Sequence, residues 1–153
     1  MTVIVQYVPV EHAAQTWPLV EKHLATAIPF GHGDYTIDQI KLLVNIGQWL
    51  LLVAVDEEGQ IHGAATSSFI NYPNDRVAFI TSIGGKLISN PDSFKQMCAI
   101  LKTKGATKVQ GMARPSIARL WKRYGFQEEV GKKHVEVRSC NSALNYRSPI
   151  FLL

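Results

Sequence analysis

The residues whose types and spacing could serve chemistry lie where an apolar stretch gives way to two glycines and then to a helix start. Residues 77–83 are apolar and partly β-branched, which favours a strand, and Gly84-Gly85 ends it. Asn90-Pro91-Asp92 then opens a helix, with Asn90 able to cap it. A loop of this kind can bind an anion through bare backbone N–H groups at a positive helix end. Pro91 has no N–H, however, and the Asp92 carboxylate would repel an anion there, so the junction predicts a poor phosphate site.

Candidates for acid–base or metal chemistry are few in this sequence. Residues 77–83 contain no carboxylate, so a general base would have to come from His62 or Glu58 on the neighbouring hairpin, acting through water. The spacings of the other histidines and of the cysteines are not those of a metal site, and we predict none. Cys98 lies in an apolar stripe and is expected in the core. No catalytic residue is assigned.

Hydrophobic periodicity predicts the elements that position these residues, in the order β, α, α, β, β, β, α, β, α, β, β. Gly63, inside the third strand, indicates a bulge or the close approach of another backbone. The strand, helix and strand between residues 77 and 111 predict a right-handed parallel unit. Six of the seven predicted strands have bounds, at residues 2–8, 49–55, 60–70, 77–83, 107–111 and 133–138. The helices cover 10–28 (with a kink or two pieces at Pro18), 36–47, 90–105 and 117–124.

The composition is that of one globular domain with an uneven charge distribution. Residues 1–76 carry 3 Lys/Arg against 8 Asp/Glu, whereas residues 77–153 carry 13 against 4. Arg119, Lys122 and Arg123 share one helix face and form a candidate partner-binding patch for a protein, a cofactor phosphate or nucleic acid, the alternative being a solvated face. No signal peptide or membrane span is recognisable, so we expect synthesis in the cytoplasm and no membrane partner.

The order of elements resembles that of the GCN5-related N-acetyltransferase (GNAT) family over about residues 2–138. The strand–loop–helix of residues 76–104 contributes to the resemblance, and so does Leu120-Trp121-Lys122-Arg123-Tyr124-Gly125-Phe126, which is similar to the family's closing Leu-Tyr-x-x-x-Gly-Phe. The resemblance implies an α/β fold: a mixed, mostly antiparallel sheet with a parallel central pair and helices on both faces. It also implies a splay between the fourth and fifth strands that holds acetyl-CoA. If acetyl-CoA binds, the contacting residues would be Ser82, Ile83, Gly84, Gly85 and Lys86.

The sequence departs from the family pattern at both ends of the implied site. Asn90-Pro91-Asp92-Ser93 stands where the family has Arg/Gln-x-x-Gly-x-Gly/Ala, and Trp121 stands where members commonly place a tyrosine acid. The first hypothesis is therefore a GNAT-fold binding or assembly module without a cofactor, similar to the degenerate GNAT-like proteins of tailed bacteriophages and incorporated into a virion. The alternative is an acetyl-CoA-dependent N-acetyltransferase with an atypical pyrophosphate loop. A nucleic-acid-binding role for the basic face is a third hypothesis.

Residues 139–153 form a separate apolar tail after the domain of residues 1–138. The tail contains one charged residue, Arg147, and ends in Pro149-Ile150-Phe151-Leu152-Leu153. Large apolar side chains are stabilised by burial, so we expect the tail to pack on the chain's own sheet or on another subunit. Ile150, Phe151 and Leu152 are accordingly candidate residues for a protein partner or for self-assembly.

Overall fold

The computed structural model describes residues 3–25, 35–85, 90–113, 119, 122–123, 126–129 and 135–139. Residues 119, 122 and 123 are helical, and the side chains of residues 126–129 and 135–139 are not described. The named elements are strands β1 (Ile4–Val8), β2 (Leu50–Val55), β3 (Ile61–Asn71), β4 (Arg76–Gly85), β5 (Lys108–Ala113), β6 (Phe126–Glu129) and β7 (Val135–Ser139), and helices α1 (Val10–Ala25), α2 (Ile37–Asn45) and α3 (Pro91–Thr103).

The strands form a seven-stranded sheet in the order β1-β2-β3-β4-β5-β7-β6. The pairs β1–β2, β2–β3, β5–β7 and β6–β7 are antiparallel, whereas β4 and β5 are parallel. Helix α3 connects the two parallel strands, so they form the strand–helix–strand unit expected from the sequence. The predicted fold class, a mixed and mostly antiparallel sheet with a parallel central pair and helices on both faces, is confirmed.

Internal contacts divide the chain into two compact units. The first contains Met1–Ser68 and Thr81–Met97, and the second contains Phe69–Ile80 and Cys98–Leu153. In the second unit, Arg76 holds the turn before β4 because its guanidinium donates hydrogen bonds to the Lys104 carbonyl and to Asn71 Oδ1, at 3.1 and 2.8 Å. The same guanidinium lies 4.3 Å from the centre of the Phe69 ring.

The core of the first unit is built where the apolar stripes of α1 and α2 meet one face of β2 and β3. Leu52 and Ala54, on the other face of β2, are also fully buried. Strand β2 is therefore covered on both faces, which is typical of a strand that is apolar without a break. The members of the core are Ala13, Trp17, Val20, Leu24, Ile40, Val44, Leu51, Val53 and Ala64.

Helix α1 is one helix although Pro18 lies inside it. The sequence predicted a kink or two pieces there, and a division into two pieces is wrong. A proline inside a helix costs about 3 kcal/mol because it removes one hydrogen bond and crowds the preceding turn. Trp17 and Val20, on either side, are both buried, and their burial offsets that cost.

Helix α3 has the predicted apolar stripe, since Phe94, Met97, Cys98 and Leu101 are all buried. Gly105 follows the helix with a positive φ of 94°, which is the conformation of a glycine C-cap. Among the helices described, none has the length and apolar character needed to cross a membrane.

Candidate functional site

Strand β4 continues well beyond its registered pairing with β5. The parallel pairs run from Val77–Lys108 to Ile80–Gly111, and β4 then extends to Gly85. We call Thr81–Gly85 the terminal segment of β4. Within the described residues the segment has no registered β5 partner, so the backbone groups on its edge away from β3 are candidates for contact with a ligand. This segment contains four of the residues proposed from the sequence to contact a cofactor.

Those predicted residues differ in exposure. Ser82, Ile83 and Gly84 are buried, whereas Gly85 is exposed at the end of the strand. Lys86, the fifth predicted residue, lies outside the described residues. Contact of these residues with a cofactor stays a prediction.

Three hydroxyl groups meet at the start of the terminal segment. Thr66 Oγ1, on β3, lies 2.7 Å from Thr81 Oγ1 and also bonds Ser82 Oγ. Thr66 and Ser82 are 0% and 7% exposed, so the hydrogen bonds replace water that the two side chains lose. We call Thr66, Thr81 and Ser82 the hydroxyl cluster. The sequence reasoning missed Thr66 because a threonine in a strand is ordinarily a packing residue.

The far end of the terminal segment packs closely on the start of β3. Gly85 has a φ of 68°, and a Cβ added to it would lie 2.4 Å from the His62 carbonyl oxygen and 2.8 Å from Gly63 Cα. Only glycine fits so near another backbone. The close backbone approach predicted at Gly63 is therefore confirmed, and its partner is Gly85.

A β-bulge also occurs next to Gly63, as the sequence allowed. Ala54 pairs with Gly63 and Val55 pairs with Ile61, so His62 is the extra residue on β3. Its Nε2 lies 2.7 Å from Oδ2 of Asp56, in the turn before β3. The other oxygen, Oδ1, accepts the backbone N–H groups of Glu58 and Gln60, both at 2.9 Å. The hydrogen bond from His62, and then those from the backbone, lower the pKa of the Asp56 carboxyl.

Of the two predicted general bases, His62 is held by this carboxylate and Glu58 is exposed in the turn. Thr81 and Gly85 are four residues apart, which is about 13 Å along a strand. His62 therefore lies by the far end of the terminal segment, a long way from the hydroxyl cluster. Asp56 was read from the sequence only as a turn residue, and its hydrogen bonds to residues 58 and 60 are the usual signature of aspartate in turns.

A second histidine, His23 at the end of α1, lies beside the same backbone. Its Nδ1 would be 3.2 Å from a Cβ at Gly85. Burial lowers the pKa of His23, and a hydrogen bond to the Ile61 backbone partly opposes this effect. The charges of Lys22 and His62 lower the pKa further. No group of three or more metal-ligating side chains occurs among the described residues, these histidines included.

At the start of α3, the Asn90 and Asp92 side chains form hydrogen bonds within the helix start. Asn90 Oδ1 accepts the Asp92 N–H at 3.0 Å, and the Asn90 carbonyl accepts the Phe94 N–H at 3.1 Å. Asp92 Oδ2 accepts a hydrogen bond from Gln96 Nε2 at 3.0 Å. The predicted cap at Asn90 is confirmed. The Ser93 side chain is fully buried and is not presented to a ligand.

Gln96 links this helix start to the edge of the sheet. Its Oε1 accepts the Val5 N–H at 2.9 Å and its Nε2 donates to the Val3 carbonyl at 3.2 Å. One side-chain amide thus pairs with β1 much as a neighbouring strand would. Asp92 orients that amide, so its carboxylate has a structural role that the sequence did not reveal.

The remaining predicted residues are either exposed on a helix or lie outside the described residues. Arg119, Lys122 and Arg123 are exposed, as a surface patch requires, but their binding of a partner stays a prediction. Ile150, Phe151 and Leu152 lie outside the described residues, as do Trp121 and Tyr124. The proposed division into residues 1–138 and 139–153 depends on the same undescribed part of the chain.

No family model and no curated protein matches the sequence. Solved structures do match the fold. The GNAT-family N-acetyltransferase YhbS from Escherichia coli in complex with CoA aligns with a TM-score of 0.61 and 16% identity, covering 96% of this chain and 87% of its own. Spermidine N-acetyltransferase from Vibrio cholerae, in complex with CoA and spermine, aligns with a TM-score of 0.58 and 14% identity, covering 89% and 92%.

A third similar structure is the PaiA N-acetyltransferase from Thermoplasma acidophilum in complex with coenzyme A. Its TM-score is 0.55 at 11% identity, and the alignment covers 91% of this chain and 99% of that one. At identities this low the likeness establishes the fold and leaves activity open. The chain has a GNAT-like fold.

Proposed function

We propose that this protein is an acetyl-CoA-dependent N-acetyltransferase. The observation that carries the proposal is the terminal segment of β4, which extends beyond the registered β5 pairs in a fold similar to that of CoA-bound acetyltransferases. An edge with available backbone groups can pair with an extended, amide-containing ligand as it would with another strand. Acetyl-CoA would supply such amides and an acetyl thioester that an amine can attack.

In this proposal the chain contributes mainly positioning. Backbone N–H groups of the terminal segment orient the ligand, and β3 holds the segment from its other side through the hydroxyl cluster and Gly85. Strand β4 carries no carboxylate, and His62 lies near Gly85 rather than Thr81. A free, unprotonated amine would therefore attack without a dedicated base on β4.

The α3 start fits the phosphates of such a ligand poorly. Pro91 offers no N–H, the Asp92 N–H is already bonded to Asn90, and the exposed Asp92 carboxylate places negative charge at the positive end of the helix. We therefore expect acetyl-CoA to bind weakly, with most of the contact made by the β4 edge.

An amine is also the acceptor class that the charge distribution favours. Residues 1–76 carry 8 acidic against 3 basic side chains, and most of them belong to the unit that contains the terminal segment. Such a balance attracts cations at low ionic strength. The similar structures include a spermidine and an agmatine N-acetyltransferase, so these two cationic amines are the first acceptors to test.

Calorimetric titration with acetyl-CoA, followed by a thiol-release assay with spermidine and agmatine, tests the proposal. We expect measurable binding and release of CoA thiol that depends on the amine. No binding at concentrations up to about 1 mM acetyl-CoA would reject the proposed function. A dissociation constant of about 1 mM corresponds to a binding free energy of only about 4 kcal/mol.

The Asp92→Asn variant tests the poor fit at the α3 start. Removing the charge should tighten acetyl-CoA binding, and the gain should shrink as salt rises, because the repulsion is electrostatic. Asp38→Asn is the matched control, since Asp38 is also an acidic residue in the first turn of a helix, α2. Equal effects of the two substitutions would contradict the assignment.

A binding or assembly module without acetyl transfer is the second candidate function. The specific observation in its favour is the α3 start, where the side chains of Asn90, Asp92 and Gln96 are bonded within the helix start and to β1. The similar structures named above are acetyltransferases, and none of their names indicates a phage protein. The same titration separates the candidates, because a low-micromolar dissociation constant would exclude the module.

A further inference from the structure

The hydroxyl cluster lies on β3 and β4, where Ala64, Ala65 and Ile83 are buried and Ser67 is a second buried hydroxyl residue of β3. Threonine and valine have nearly the same shape, so valine at position 66 would fill the space without burying a hydroxyl. Burying a polar group adds little stability even when it is well bonded. The hydroxyl of Thr66 is therefore best explained by its bonds to Thr81 and Ser82, which hold this part of β4 in place.

The hydrogen bonds of Thr66 indicate an irregular backbone in β4. Successive side chains of a regular strand point to opposite faces of the sheet. Thr66 Oγ1 nevertheless bonds the hydroxyls of Thr81 and of Ser82, which are consecutive residues. Such an arrangement requires a local departure from the regular pleat, of the kind found in a β-bulge. It begins directly after Ile80, the last β4 residue in register with β5.

We infer that Thr66 is a positioning residue for the ligand-binding edge of β4. By bonding two consecutive residues, its hydroxyl fixes the course of the strand where it leaves the β5 register. The backbone groups of the terminal segment are thereby held in the orientation that an extended ligand meets. Without that hydroxyl, β4 would vary in conformation at Thr81–Ser82, and ligand binding would have to order it. The effect on ligand affinity rests on the proposed function, whereas the effect on the β4 backbone does not.

Thr66→Val and Thr66→Ser make the test in the intact protein. Both keep the strand, but only serine keeps the hydroxyl. We expect Thr66→Val to weaken acetyl-CoA binding about tenfold in calorimetry, the equivalent of about one or two lost hydrogen bonds. Thr66→Ser should stay within about twofold of the unmodified protein. Site-resolved hydrogen exchange without ligand should show faster exchange of the Ser82 and Ile83 amides in Thr66→Val alone.

Ser67→Ala is the matched control. Ser67 is also a buried hydroxyl residue of β3, but its Oγ donates to the Ser68 carbonyl at 3.2 Å. Its loss should leave both the dissociation constant and the exchange at Ser82 unchanged. If Thr66→Val does not fold, Ser82→Ala takes its place, because it removes one partner of the same hydroxyl.

The outcomes separate the role of Thr66 from the proposed function. An unchanged dissociation constant in Thr66→Val overturns the inference, as does an equal loss in Ser67→Ala. If the unmodified protein binds no acetyl-CoA, the proposed function fails. Exchange at Ser82 and Ile83 then decides whether Thr66 positions β4, and unchanged exchange rejects it.

Discussion

The Cys98 thiol is buried between Phe94 and Leu101 in the apolar stripe of α3, and burial raises its pKa to about 12. Only the thiolate is a good nucleophile, so Cys98 should be inert near neutral pH. We expect iodoacetamide to leave Cys98 unmodified in the native protein and to modify it in urea. Peptide mass spectrometry distinguishes it from Cys140. Rapid modification of native Cys98 would contradict the packing described for α3.

His23 should make the stability of the protein dependent on pH. Its pKa is lowered from 6.5, chiefly by burial, so the unfolded chain binds a proton at a higher pH than the folded one. Stability should therefore be complete above pH 6.5 and should fall as the pH decreases through 6.5 towards the lower folded pKa. Urea unfolding at a series of pH values measures this slope.

His23→Gln should flatten the slope, because glutamine cannot gain the proton. His12→Gln is the matched substitution at an exposed position of the same helix. A slope that survives unchanged in His23→Gln would assign the pH dependence to another group.

At the scale of elements, Gly85 determines how closely β4 approaches β3, and Gly59 provides a control of the same backbone type. Both have a positive φ, 68° and 82°, but a Cβ would meet the His62 backbone only at Gly85 and nothing within 4 Å at Gly59. Alanine should cost roughly 1–2 kcal/mol at either position for the left-handed conformation. Gly85→Ala should cost roughly 1–3 kcal/mol more for the clash.

Denaturant unfolding of Gly85→Ala and Gly59→Ala measures the difference. Equal losses of unfolding free energy in the two variants would mean that the end of β4 moves away from β3 at no further cost in stability. Gly85→Ala should in addition weaken acetyl-CoA binding if the proposed function holds, because it displaces the terminal segment.

The elements themselves were largely predictable, since their signals are local. Thr36 and Gln39 form the capping box that begins α2, and the apolar run of β2 is buried on both faces. Of the two alternatives predicted at Pro18, the division of the helix was wrong, because the helix-breaking tendency of proline is local whereas the burial of Trp17 and Val20 depends on the whole core. Gly63 indicated a bulge or a close backbone approach, and both occur.

The candidate site was predictable only in outline, because its contacts join distant parts of the chain. Gly84 and Gly85 marked the end of β4, but nothing local to Thr66 or Asp56 indicates a bond to Ser82 or to a bulged His62. Asp92 is the clearest example of a contact that the sequence did not predict. Its position at a helix start was read correctly. Its bond to Gln96, and through Gln96 to Val5 of β1, depends on how α3 packs against a strand residue 91 positions earlier.

For the whole molecule, the open question is how residues 139–153 are accommodated. One charge, Arg147, occurs in this stretch, and Ile150, Phe151, Leu152 and Leu153 follow Pro149. Each of these four side chains would forgo roughly 1.5–3 kcal/mol if left in water. We therefore predict that they bury against the chain's own sheet or against another subunit, although they lie outside the described residues.

Deleting residues 149–153 should change the oligomeric state or lower the solubility, while the fold of residues 2–138 survives. A full-length variant with serine at positions 150, 151 and 152 separates loss of apolar surface from loss of chain length. Light scattering reports assembly, and far-ultraviolet circular dichroism reports the fold. Changes in both variants would assign the effect to the apolar side chains, because the serine variant keeps the backbone. Unchanged assembly and solubility in the deletion variant would reject the prediction that these four side chains are buried. Their removal would otherwise expose the apolar surface that they cover.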